Sequence, residues 1–127
     1  MPDAVVQISA YKSCAAFIRE ARKAGYGGIF YNDVSFVGTQ ALADELGREA
    51  RGIIISQVMP FPFSTTLPIS REYLDAVGRA GPDTTPNYSS MEGWLAAKVS
   101  SEGLRRAGRN PSREALTTAL ESIQNAN

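Results

Sequence analysis

The sequence predicts an α/β fold: a partial doubly wound parallel sheet of about three strands followed by C-terminal helices. Three observations predict it. Strand-like and helix-like stretches alternate through the first 58 residues, joined by short glycine turns. The apolar runs among them are continuous, a pattern that suits parallel strands covered on both faces. Beyond Met59-Pro60-Phe61-Pro62-Phe63 every periodic stretch is helical, and the two prolines there exclude a central strand because they cannot donate to a ladder.

The elements follow in order. Residues 4–9 form a short β-branched run, the first strand. Cys14, Phe17, Ile18, Ala21 and Ala24 then recur at helical spacing, and Gly25 supplies the C-terminal stop. Gly25, Gly27 and Gly28 form a turn into Ile29, Phe30 and Tyr31, the second strand. Residues 36–46 carry a short helix with Leu42, Ala43 and Leu46 on one side, ended by Gly47. Residues 52–58, with Ile53, Ile54 and Ile55, are the clearest strand. Helices follow over residues 68–77, with Tyr73, Leu74 and Val77, and over 90–107, with Met91, Trp94, Leu95, Val99 and Leu104. Asn110-Pro111 reads as an N-cap with proline at the first helical position, opening a last helix with Leu116, Ala119, Leu120 and Ile123.

Composition narrows the function. A chain of 127 residues has room for one real core. Hydrophobic residues make up 43% and charged residues 20%, with 13 basic residues balanced by 13 acidic ones. Such a surface exerts no net pull on nucleic acid or anionic lipid, so neither is an expected partner. There is no histidine, which excludes Ser–His–Asp and Cys–His nucleophile systems and histidine-assisted zinc sites. The single cysteine, Cys14, excludes an intrachain disulfide and a thiolate cluster, and its place on an apolar helical face predicts burial. The glycines match neither a dinucleotide fingerprint nor a P-loop. No membrane span or secretory signal is legible. No cofactor, no metal and no catalytic residue are expected, and the protein is read as a binder, not an enzyme.

Ligands of parallel sheets bind beyond the C-terminal ends of the strands, and polar and aromatic residues gather there in the sequence. Tyr11 follows the first strand, Asp33, Ser35 and Phe36 follow the second, and Phe61 and Phe63 follow the third. Asp33 occupies the place of a receiver-type phosphoacceptor, yet an acidic pair for magnesium and a lysine after a later strand are both missing. A loop carboxylate that contacts a polar ligand is the better reading. The plainer alternative, aromatics that merely cover the sheet end, stays open on pattern alone.

A resemblance adds to this. Ala10-Tyr11 with Cys14, Phe17-Ile18, Ala21-Arg22 and Gly25, then Ser35-Phe36-Val37-Gly38 with Ala41-Leu42 and Glu45-Leu46-Gly47, resembles the Leu/Ile/Val type of periplasmic solute-binding protein. Gln57-Val58, Pro60, Pro62, Leu67-Pro68 and Arg71-Glu72-Tyr73 continue the likeness. Pro86, Tyr88, Ser90, Glu92-Gly93, Leu104, Gly108 and Arg113-Glu114-Ala115-Leu116 complete it, in one register over the whole chain. The resemblance implies part of a two-lobe type I protein that traps solute between its lobes. Residues 1–58 would be part of the C-terminal lobe, 59–67 a hinge-like crossover, and 68–127 a helical segment packed largely on the other lobe. It implies an amino-acid-like solute, branched-chain by default, held by Tyr11, Asp33, Ser35 and Ser90, with the ligand ammonium on the 33–35 loop. It further implies an ABC-importer permease as partner and a periplasmic or extracytoplasmic location for the parent. Exposed helices would make this chain homo-oligomeric. The alternative is a cytoplasmic α/β sensor or regulatory domain that binds a small metabolite.

Overall fold

The computed structural model describes residues 2–33 and 38–124, and divides into two compact units, residues 1–89 and 90–127. In the first unit, strand β1 (Ala4–Gln7) leads to helix α1 (Tyr11–Lys23), strand β2 (Ile29–Asn32), helix α2 (Thr39–Leu46) and strand β3 (Ile53–Ile55). A 3-10 turn (Gly47–Ala50) links α2 to β3. The strands are parallel in the order β1-β2-β3. Val5, Phe30 and Ile53 stand in one row of the register, Val6, Tyr31 and Ile54 in the next.

That register sorts the side chains. Phe30 and Asn32 are buried, whereas Ile29 and Tyr31 are exposed, so β2 alternates strictly. Cys14, Ala15 and Ile18 of α1, Tyr26 of the turn, Phe30, and Leu42 and Leu46 of α2 form one core, with Val5, Ile53 and Ile55 packed against it. Tyr26 and Phe30 meet edge to face at 5.1 Å between ring centres. The continuous apolar runs predict helices on both faces; among the described residues α1 and α2 share a single core on one face, and Val6 (68% exposed) and Ile54 (44%) lie open on the other. The reason is topological. Right-handed crossovers that step in one direction across a sheet lay their helices on the same side.

Arginines tie α1 to α2 at the surface. Arg19 pairs with Glu45 at 3.0 Å and Glu49 at 3.3 Å. Arg22 donates to the Glu49 carbonyl and sits 5.8 Å from the Phe30 ring centre. Cys14 is fully buried, as its helical face predicts; its thiol donates to the Ser9 carbonyl at 3.5 Å, and burial pushes the thiol pKa up.

Helix α3 (Pro68–Ala80) closes the first unit, with proline in its first turn where an unpaired N–H costs nothing. The Ser64 hydroxyl accepts from the Thr66 and Leu67 amides and shapes the entry. Helix α4 (Tyr88–Ala107) begins at the end of the first unit and continues through the second, where α5 (Arg113–Glu121) follows. Gly108, at φ 82°, ends α4 in the left-handed conformation, its amide on the Leu104 carbonyl. Asn110-Pro111 is not the cap the sequence predicts. Asn110 takes a left-handed φ of 57°, and Ser112 caps α5 by accepting from the Ala115 amide at 3.1 Å. Within this unit buried Gly103 lets the Leu116 and Leu120 side chains approach α4.

Candidate functional site

The C-terminal edge of the sheet is polar, and its polar groups are bonded to one another. The Asp33 amide donates to the Gln7 carbonyl and the Ser56 amide to the Asn32 carbonyl, both at 3.0 Å, which extends the parallel ladder past each strand end. Buried Asn32 accepts from Gln7 Nε2 at 2.8 Å and donates to the Ile54 carbonyl at 3.4 Å. An amide inside a core is tolerated only when so satisfied. The Ser56 hydroxyl donates to Asp33 Oδ1 at 2.5 Å, so the carboxylate after β2 is braced from β3. Gln57 Nε2 donates to the Thr39 hydroxyl, while Gln57 Oε1 is buried without a hydrogen-bond partner among the described residues.

Beside this edge lies an open cavity of about 460 Å³, lined by residues 38–41, Asp44, Phe63 and residues 85–89. Its size falls in the range of small-molecule sites. One wall is the start of α2, whose N-cap, Gly38, has a φ of 67° and gives no side-chain cap. The first intrahelical bond runs from the Leu42 amide to the Gly38 carbonyl, so the amides of residues 39–41 have no partner within the helix. Another part of the lining is residues 85–89, which lead into α4 and include its first two residues. Apolar Ala41, Phe63 and Pro86 line the cavity together with Thr39, Tyr88, Ser89 and Asp44, whose carboxylate accepts from Gln40 Nε2 at 2.8 Å. Such a mixture can hold a small amphipathic molecule by shape and a few hydrogen bonds.

The residues singled out in the sequence fall at several places. Tyr11 is the first residue of α1, half-buried against the core, with the Lys12 ammonium 5.9 Å from its ring centre. Asp33 lies on the polar edge, held by Ser56. Ser35 lies outside the described residues. Ser90, half-buried, is the third residue of α4 and opens the second unit. Phe63 lines the cavity; Tyr11 and Asp33 are not among its lining residues. Thr39, Asp44, Asn87 and Ser89 escaped the sequence reading, since Asp44 looks like one more solvated carboxylate on a helix. The signal in the sequence was the pair of helix starts, at Gly38 and at Pro86-Asn87.

A parallel α/β sheet with a polar edge and a cavity alongside is the architecture of small-molecule binding domains. The family model described as periplasmic binding protein matches residues 1–127, and the chain belongs to that family. It is 35% identical to a possible leucine/isoleucine/valine-binding protein from Rhodopirellula baltica, with a TM-score of 0.87 over 94% of this chain and 32% of that one. It is 27% identical to an extracellular ligand-binding receptor from Verminephrobacter eiseniae, with a TM-score of 0.78 over 94% of this chain and 34% of that one. A leucine binding protein, LivK, from Thermotoga maritima shares the fold at 19% identity, with a TM-score of 0.78 over 98% of this chain and 34% of that one. The chain thus spans about a third of the length of these structures, as a part of a two-lobe periplasmic binding protein does. Among curated proteins nothing matches.

Proposed function

We propose that this chain is part of the solute receptor of an ABC importer and captures an amino acid or similar small solute, with branched-chain amino acids first among them. The observation that carries the reading is the cavity beside the C-terminal edge of the sheet, in a chain of the periplasmic binding protein family. The likeness to a possible leucine/isoleucine/valine-binding protein supports the solute class. In this reading the solute sits in the cavity and reaches past its lining to the sheet edge, where the Asp33 carboxylate receives the ammonium, Tyr11 offers a ring wall, and Ser35 and Ser90 offer hydroxyls. The parent works outside the cytoplasm and hands its solute to a membrane permease, and the role is binding without turnover. The isolated chain associates with further copies of itself.

Isothermal calorimetry on the parent protein tests this, with L-leucine, L-isoleucine, L-valine and a panel of small carboxylates and amides. Binding of one class is expected, weakened by about 1–3 kcal/mol in Asp33→Ala and in Tyr11→Ala, the scale of losing a contact to a charged or well-packed group. Ser56→Ala, which removes the brace on Asp33, should weaken binding less. No binding by any of the panel, or binding indifferent to both Asp33 and Tyr11, would place the solute elsewhere.

A further inference from the structure

We infer that Tyr73 of α3 is a positioning residue for this cavity, one that fixes the wall ahead of α4 through the backbone of Asn87. The inference rests on the reading of the cavity as the solute site. Tyr73 is 1% exposed. Its hydroxyl donates to the Asn87 carbonyl at 3.2 Å and accepts from the Asn87 amide at 3.0 Å. One phenol oxygen therefore clasps both backbone groups of a single cavity-lining residue. A phenylalanine would fill the same space, so packing alone does not call for the oxygen, and a buried hydroxyl is costly unless it is bonded.

The same helix holds a second wall. Ser70, fully buried and three residues before Tyr73, donates to the Phe61 carbonyl at 2.9 Å. The Phe61 ring lies 5.4 Å from that of Phe63, which lines the cavity. On the α2 part of the lining, Thr39 is anchored to Gln57, two residues after β3, and Leu42 is buried in the sheet core. The α2 wall is thus fixed to the sheet, while the 85–89 wall takes its position from α3. Tyr73 sets the gap between them, and with it the fit of whatever the cavity holds.

The test compares the chain with its Tyr73→Phe variant, using Ile18→Val as a control that trims the α1 core without touching the cavity lining. Amide exchange is read by NMR, and L-leucine is the titrated probe, followed at the Thr39 and Ser89 amides. Tyr73→Phe removes both bonds to Asn87; it should speed exchange at the Asn87 amide about tenfold, the scale of the one bond that amide loses, and raise the L-leucine Kd about fivefold. Ile18→Val should lower the melting temperature and leave both readouts unchanged. An Asn87 amide that exchanges as in the unaltered chain, or acceleration spread evenly over the sheet, overturns the positioning role. An L-leucine affinity unchanged by Tyr73→Phe overturns it as well. If L-leucine fails to shift the amides of the unaltered chain, the solute reading fails for that probe, and exchange at Asn87 still decides the role of Tyr73.

Discussion

Glu102 shows how much one residue's neighbours can do at the surface. Arg105 donates to both of its carboxylate oxygens at 2.8 Å, and Arg106 adds a third bond at 2.6 Å. These hydrogen bonds hold the Glu102 carboxyl at about 2, against an ordinary 4.5. A carboxyl depressed on folding stabilises the fold above its unfolded value. That contribution is complete above about pH 4.5 and fades as pH falls toward 2. A side-chain NMR titration should place the Glu102 midpoint at about 2, well below the ordinary 4.5, and Glu102→Gln should flatten the acid end of the stability profile. The three side chains lie at the surface, so the effect is small and should shrink further in high salt. Ser112 is the other residue whose role is local: its hydroxyl satisfies the Ala115 amide at the start of α5. Ser112→Ala should cost about 1 kcal/mol by chemical denaturation, and Asn110→Ala should not reproduce that loss of a cap.

Among the elements, the turn between α1 and β2 leaves no room for a side chain at Gly28. A methyl group at Gly28 would meet the Tyr26 side chain and lie 2.6 Å from the Asp3 carbonyl oxygen. That oxygen cannot retreat freely, because it accepts from the Ile29 amide at the first step of the β1–β2 ladder. Gly28→Ala should therefore destabilise the chain by about 1–3 kcal/mol, the scale of overpacking in a closed site. Gly27→Ala meets nothing within 4 Å and should be mild by comparison. Thermal melts of the two variants side by side check this, and equal melting temperatures would show that the turn can shift. Helix α2 carries a different risk, since Leu42 is buried in the sheet core while its neighbours line the cavity. Leu42→Ala should cost about 2–5 kcal/mol.

At the scale of the molecule, the open face of the sheet governs behaviour in solution. Val6, Tyr31 and Ile54 form a row across the three strands, with Ile29 exposed on the same face. Covering a large apolar side chain contributes about 1.5–3 kcal/mol, so several together favour association. The helical stripes are open in part: Tyr73 is buried and Leu74, Trp94, Leu95 and Leu116 are half-buried, while Val99, Leu104 and Leu120 are exposed. The sheet face groups its exposed residues in one row, so self-association of the isolated chain is expected through it first. Light scattering at micromolar concentration should find a dimer or larger species, and Ile54→Lys with Val6→Lys should return it to monomer. Assembly untouched by those two lysines would move the contact to the helices.

The sequence by itself determined the strand–helix order, the parallel sheet, the burial of Cys14 and the end of β structure at Pro60 and Pro62. Each of these follows from local chemistry: side-chain periodicity, glycine stops and the missing proline donor act over a few residues. It also carried the family likeness, which needs no geometry. Tertiary structure decided what depends on residues far apart in the chain. That α1 and α2 share one face of the sheet follows from the direction in which the crossovers step. The cap on α5 passed to Ser112 because Asn110 took the left-handed turn that leads there. The bracing of Asp33 by Ser56 joins positions 23 residues apart, and the clasp of Asn87 by Tyr73 joins positions 14 apart. A cavity is the space left between such distant segments, and no run of neighbouring residues spells out its walls.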